Sequence, residues 1–182
     1  MSLPNLISLA RLLAVPLAIY LILSGLYAAS FWLFVAAGVS DAVDGFLAKK
    51  FGQTSTLGAY LDPLADKALL VGVCVTLGYT GHLPTWLVIL VAFRDVVIIG
   101  GVILLHISSQ SVRMRPLVVS KVNTAAQIAL VAVVLGELGV GAGPGMIRDA
   151  LVWLAGGTTV LSGGAYLVQW FRLEARTAGD GP

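Results

Sequence analysis

The chain has little of what a soluble enzyme displays on its surface. Of its 182 residues only 11% are charged, against roughly a quarter in an ordinary globular domain. Cysteine occurs once, as Cys74, which excludes an intrachain disulfide and a cysteine-based metal site; its place in an apolar run makes it a packing residue. A formal net charge of +2 supplies no strongly basic surface, so nucleic acid is not an expected partner. There is no fixed-period repeat and no low-complexity tract, so solenoids and linker-separated modules are excluded. The opening stretch MSLPNLISLARLLAVPLAIYLIL lacks a small-residue cleavage site and is read as a first membrane span that stays in place.

What the chain does have is apolar length. Hydrophobic residues make up 58% of it, and its mean hydropathy is +0.96. A helix needs about 20 apolar residues to cross a bilayer. Six stretches meet that need, at 5–24, 29–50, 58–80, 85–106, 118–139 and 148–171, separated by Gly- and Pro-bearing breaks. The fold expected is an all-α membrane protein, a bundle of six transmembrane helices in one domain over 1–176, with a flexible polar tail at 177–182. Lys49, Lys50, Arg113, Arg115, Arg172 and Arg176 fall on one side of this arrangement, and the alternate connections carry only Arg148. The positive-inside rule therefore puts both termini in the cytoplasm.

Four of the nine acidic residues crowd into 26 positions, as Asp41, Asp44, Asp62 and Asp66. Asp41 and Asp44 are spaced i,i+3 and Asp62 and Asp66 i,i+4, so each pair shares a helix face, and the short connection between the helices makes them antiparallel neighbours. The four carboxylates can converge at membrane depth. An unpaired aspartate there costs about 2.5 to 3.5 kcal/mol, and like charges in contact add to that. Cations must offset it. Lys49, Lys50 and Lys67 are within sequence reach, but hard divalent ions suit clustered carboxylate oxygens better, and two of them would balance four carboxylates. The competing readings are interhelical ion pairs and a water-lined proton path. Gly45 follows Asp44 at a helical position where a missing side chain admits a ligand; Gly58 and Ala48 serve ligand access or helix packing equally well.

Asp41, Asp44, Gly45, Ala48, Gly58, Asp62 and Asp66 match the signature D-x2-D-G-x2-A-R-x8-G-x3-D-x3-D with every spacing kept. In this the chain resembles the CDP-alcohol phosphatidyltransferases. The one departure is Lys49 at the signature's arginine, which keeps the charge and loses the bidentate fork. The resemblance implies that Asp41, Asp44, Asp62 and Asp66 hold two divalent cations, Mg2+ or Mn2+, on the pyrophosphate of a CDP-linked lipid. It implies further that Asn5, Gly45, Ala48, Lys49 and Gly58 lie along that lipid, that Asp66 is the general base for an acceptor hydroxyl, and that the protein is a homodimer.

For the acceptor, PNLISLARLLAVPL is similar to the first segment of family members that use glycerol phosphate or phosphatidylglycerol. Asn5 reads equally as a helix cap or a ligand contact, whereas for Arg11 snorkelling to the headgroups is favoured over a place in the site. Arg94 lies deep in apolar sequence, where a paired or ligand-bound role is expected. An Arg94–Asp95 pair is disfavoured, because adjacent helical residues point apart. Arg113 and Arg115 belong to a loop that attracts cations in any case; with Arg94 and Lys121 they could bind an acceptor phosphate. The stretch Ser120-Lys121-Val122-Asn123-Thr124-Ala125-Ala126-Gln127 resembles that of the eukaryotic-type cardiolipin synthases. The expected reaction joins CDP-diacylglycerol to phosphatidylglycerol in a bacterial cytoplasmic or mitochondrial inner membrane, with the site facing cytoplasm or matrix. Glycerol 3-phosphate is the alternative acceptor. A proton-coupled carrier is more remote, since neither internal repeats nor Pro-broken helices are visible.

Overall fold

A computed structural model describes the backbone over 3–51, 58–107, 118–141 and 145–179, and the side chains over 9–41, 65–98, 118–141 and 145–168. It is all helix: α1 (Leu3–Leu23), α2 (Tyr27–Phe51), α3 (Gly58–Tyr79), α4 (Thr85–Ile107), α5 (Val118–Val140) and α6 (Gly145–Gly179). Apolar run length predicts the first five to within a few residues. α6 runs on to Gly179, well past the expected 171 and into the tail expected to be flexible, because hydropathy ends at Arg172 while helix-favouring Glu174, Ala175 and Arg176 continue the backbone pattern.

Two of the turns are built alike. At Gly25 the backbone turns left-handed (φ 74°), the Leu26 amide donates to the Leu21 carbonyl and the Gly25 amide to the Ile22 carbonyl. At Gly81 (φ 80°) the His82 amide donates to Leu77 and the Gly81 amide to Gly78. Each caps the last carbonyls of a helix with the one residue that adopts this φ without a steric penalty.

The helices pack in a closed circuit, α1–α3–α4–α6–α5–α2 and back to α1, with α3 and α5 also touching across it. The core lies along that crossing: Leu69, Val73 and Leu77 of α3 meet a buried set that includes Ile22 of α1, Leu87 of α4 and Leu130, Val134 and Leu135 of α5. The outside is equally apolar, with Leu13, Leu17, Tyr20, Trp32, Ile89, Phe93 and Val96 exposed. So much exposed apolar surface fits a lipid surrounding rather than water. Among the described residues, Val118–Val140 and Gly145–Val168 are long and apolar enough to cross a membrane.

Close approach of α2 and α5 depends on Gly139, where an added Cβ would run into the backbone of Tyr27 and Ala28. Backbone cannot rotate aside as a side chain can. Gly139→Ala is expected to lower stability by about 1 to 3 kcal/mol, as overpacking does, read as a fall in the thermal unfolding midpoint in detergent. An unchanged midpoint would show that the two helices separate without cost.

Candidate active site

The antiparallel order brings the starts of α1, α3 and α5 and the ends of α2, α4 and α6 to one end of the bundle. Arg11 of α1 is buried, 5% exposed, and does not snorkel as its position near a helix start allows. Its Nη1 lies 2.9 Å from Asp41 Oδ1 of α2 and 2.5 Å from Asp66 Oδ1 of α3. One nitrogen thus gathers one oxygen from each half of the acidic signature. The two aspartate side chains remain 47% and 40% exposed.

Lys67, next to Asp66, leads into a second network. Its Nζ lies 2.6 Å from Asp95 Oδ1 of α4, the same oxygen that accepts from Arg94 Nη1 at 2.6 Å. Lys67 is thereby paired with Asp95. The Arg94–Asp95 pair corrects the expectation from the sequence: the two Cβ atoms do point apart, but a guanidinium on its long stem curls round the helix to its neighbour. Arg94, 3% exposed, also donates to Ser120 Oγ of α5 at 2.5 Å and to Ser162 Oγ of α6 at 2.8 Å. From Asp41 through Arg11, Asp66, Lys67, Asp95 and Arg94 to the two serines, the run of charged and polar groups takes in all six helices.

Asn123 and Gln127, prominent in the α5 stretch, are buried against α6. Asn123 Oδ1 accepts from Thr158 Oγ1 at 2.9 Å and Thr159 Oγ1 at 2.8 Å, and Gln127 Nε2 donates to Thr159 Oγ1 at 3.3 Å. These residues glue two helices together in the manner of interhelical hydrogen bonds in lipid. Lys121 is exposed and makes no ion pair among the described residues, and Arg94 reaches Ser120, the residue before it. Arg113 and Arg115 lie outside the described residues. Asn5 is inside the first turn of α1, which begins at Leu3; its side chain, like those of Asp44, Gly45, Ala48, Lys49, Gly58 and Asp62, lies outside the described set.

Among the described residues no three His, Cys, Asp or Glu gather as a metal site, and that set includes only Asp41 and Asp66 of the four aspartates. The donors that are described suit a hard cation. Both are carboxylates, both are partly open, and they come from different helices to a common point. A cavity of about 450 Å³ lies at the other end of the bundle, lined by His82, Trp86, Arg148, Asp149 and Trp153 among others, away from the aspartates.

Sequence reasoning missed Ser120 as a partner of Arg94, and it missed Ser162, Thr158 and Thr159 altogether. Serine and threonine in a membrane helix carry no distinguishing pattern. For Arg11 a signal existed, since a cation among apolar residues near four acids is an obvious counter-charge.

The family profile described as CDP-alcohol phosphatidyltransferase matches residues 1–161. The rice chloroplastic CDP-diacylglycerol–glycerol-3-phosphate 3-phosphatidyltransferase 1 is 34% identical over 97% of this chain and 59% of its own length. The rat cardiolipin synthase (CMP-forming) is 35% identical over 72% of this chain and 49% of its own length. A putative cardiolipin synthase of Mycobacterium tuberculosis is 37% identical over 58% of this chain and 51% of its own. The chain thus spans about half the length of the curated relatives it matches, from 31% to 59%.

Proposed function

Since the chain belongs to the CDP-alcohol phosphatidyltransferase family, we propose that it transfers the phosphatidyl group of CDP-diacylglycerol to the hydroxyl of phosphatidylglycerol, giving cardiolipin and CMP. Support comes chiefly from Asp41 and Asp66, one from each half of the signature, meeting on Arg11 of α1. The acceptor oxygen attacks the phosphorus that bears the diacylglycerol. The bond from that phosphorus to the CMP oxygen breaks, CMP leaves, and the acceptor's proton passes to the Asp66 carboxylate. Asp41, Asp44, Asp62 and Asp66 would hold divalent cations that withdraw charge from the pyrophosphate. Asn5, Gly45, Ala48, Lys49 and Gly58 would line the CDP-lipid.

The acceptor headgroup would meet Lys121 with Arg113 and Arg115 near the start of α5, while Arg94 organises the helices behind them. A phosphodiester carries one charge and needs fewer cations than a monoester. The chain would cross the membrane six times as a homodimer, its site and termini on the cytoplasmic or matrix side.

Glycerol 3-phosphate is the second reading, favoured by the rice enzyme's name and by its match over 97% of the chain. Asn123 and Gln127, which liken α5 to cardiolipin synthases, face α6 and speak to packing as much as to the acceptor.

The test is incubation of purified protein with CDP-diacylglycerol and either acceptor. CMP release that needs Mg2+ or Mn2+, with a four-acyl product by mass, is expected. A product of phosphatidylglycerophosphate alone would replace the acceptor, and full CMP release in chelator would overturn the metal-assisted reaction.

A further inference from the structure

We propose that Arg11 is a positioning residue that ties Asp41 to Asp66 across three helices and holds down the affinity of the acidic cluster for divalent cations; this rests on the metal-assisted reading above. The contact is end-on, with Nη1 serving both carboxylates, while Nε is buried and has no hydrogen-bond partner among the described residues. A bidentate fork on either aspartate would commit the guanidinium to one helix. Sharing one nitrogen commits it to both, and it spares each aspartate from facing the other's charge alone.

Two consequences follow from charge and geometry. A fixed cation touching both carboxylates repels any further cation that approaches them, so removing its charge should tighten divalent binding. The same removal takes away the one nitrogen that ties the two carboxylates to each other, so they lose that shared alignment, which transfer needs. Arg11 thereby trades affinity for order. A residue that merely stabilised the fold would not move metal affinity upward while slowing the reaction.

The experiment compares wild-type protein with Arg11→Gln and Arg11→Lys in detergent micelles, reading Mn2+ binding by electron paramagnetic resonance and CMP release separately. Arg11→Gln is expected to bind Mn2+ roughly tenfold more tightly, the scale of one unfavourable unit-charge contact partly screened by water, and to release CMP at a tenth of the wild-type rate or less. Arg11→Lys, which keeps the charge, is expected to return Mn2+ affinity to within about threefold of wild type. Unchanged or weaker Mn2+ binding by Arg11→Gln, or its full turnover, would overturn the proposal while leaving the metal-assisted reading in place. Should Arg11→Gln fail to fold, Arg11→Lys decides: affinity near wild type supports the role of charge, and a tenfold shift overturns it. Wild-type protein that binds no Mn2+ would overturn both readings together.

Discussion

Asp66→Asn is expected to lower CMP release by about 10²- to 10⁴-fold, the range over which a positioned general base contributes, while the protein stays folded. Folding should survive because the amide oxygen of an asparagine still accepts from Arg11 Nη1, which now holds Asp66 Oδ1 at 2.5 Å. What the amide cannot do is take a proton from the acceptor or hold a metal with full charge. The two losses are separable. If Asp66 acts mainly as base, the variant keeps its affinity for CDP-diacylglycerol, and Asp41→Asn, placed on the same nitrogen of Arg11 but from α2, loses affinity instead. Equal loss of substrate binding in both would make the two aspartates equivalent ligands. Turnover near the wild-type rate in Asp66→Asn would remove this residue from the chemistry.

The largest expected effect on stability is at Asp95. It is buried, and its Oδ1 accepts from both Arg94 and Lys67 at 2.6 Å, while Oδ2 has no partner among the described residues. Asp95→Ala leaves the Arg94 guanidinium buried with only the hydroxyls of Ser120 and Ser162. Breaking a buried charge pair from one side costs about 3 to 5 kcal/mol, because the remaining ion is left uncompensated. Thermal unfolding in detergent should show that loss. Lys67→Met removes the half-exposed partner and should cost much less, since an ammonium that water reaches contributes about 1 kcal/mol or below. If Asp95→Ala and Lys67→Met fall by the same small amount, the charge network is not what fastens α3, α4, α5 and α6. The double variant Arg94→Met with Asp95→Leu should recover part of the loss, as apolar replacement of a buried pair often does.

Much of this protein was legible in one dimension. The length of each apolar run predicts the helices because a bilayer demands about 20 such residues whatever their order. The spacing of Asp41, Asp44, Asp62 and Asp66 predicts two acidic faces because the α-helical period is a local property of the backbone. The short connection also predicts that these helices lie side by side, and here the structure differs: among the described residues α2 and α3 do not pack on each other, because each packs against α1 and α5, and Asp41 and Asp66 meet through Arg11 of α1.

Partners across the bundle were decided only by the tertiary structure. Periodicity says where a Cβ points and nothing of where a guanidinium several bonds further out comes to rest. That is why Arg94 reaches its own neighbour Asp95 against the rule for adjacent residues, and why Arg11 turns inward to Asp41 and Asp66 rather than out to the headgroups. Nor does sequence order reveal the circuit of packing. α6 comes to lie beside both α4 and α5, so Ser162 finds Arg94 and Thr159 finds Asn123 from more than 30 residues away. Charge and run length are local and can be read along the chain. The identity of a buried group's partner depends on which helices touch, and a nearly uniform apolar surface, inside and out, leaves that to be settled by side-chain shape and by the few polar groups that must be satisfied.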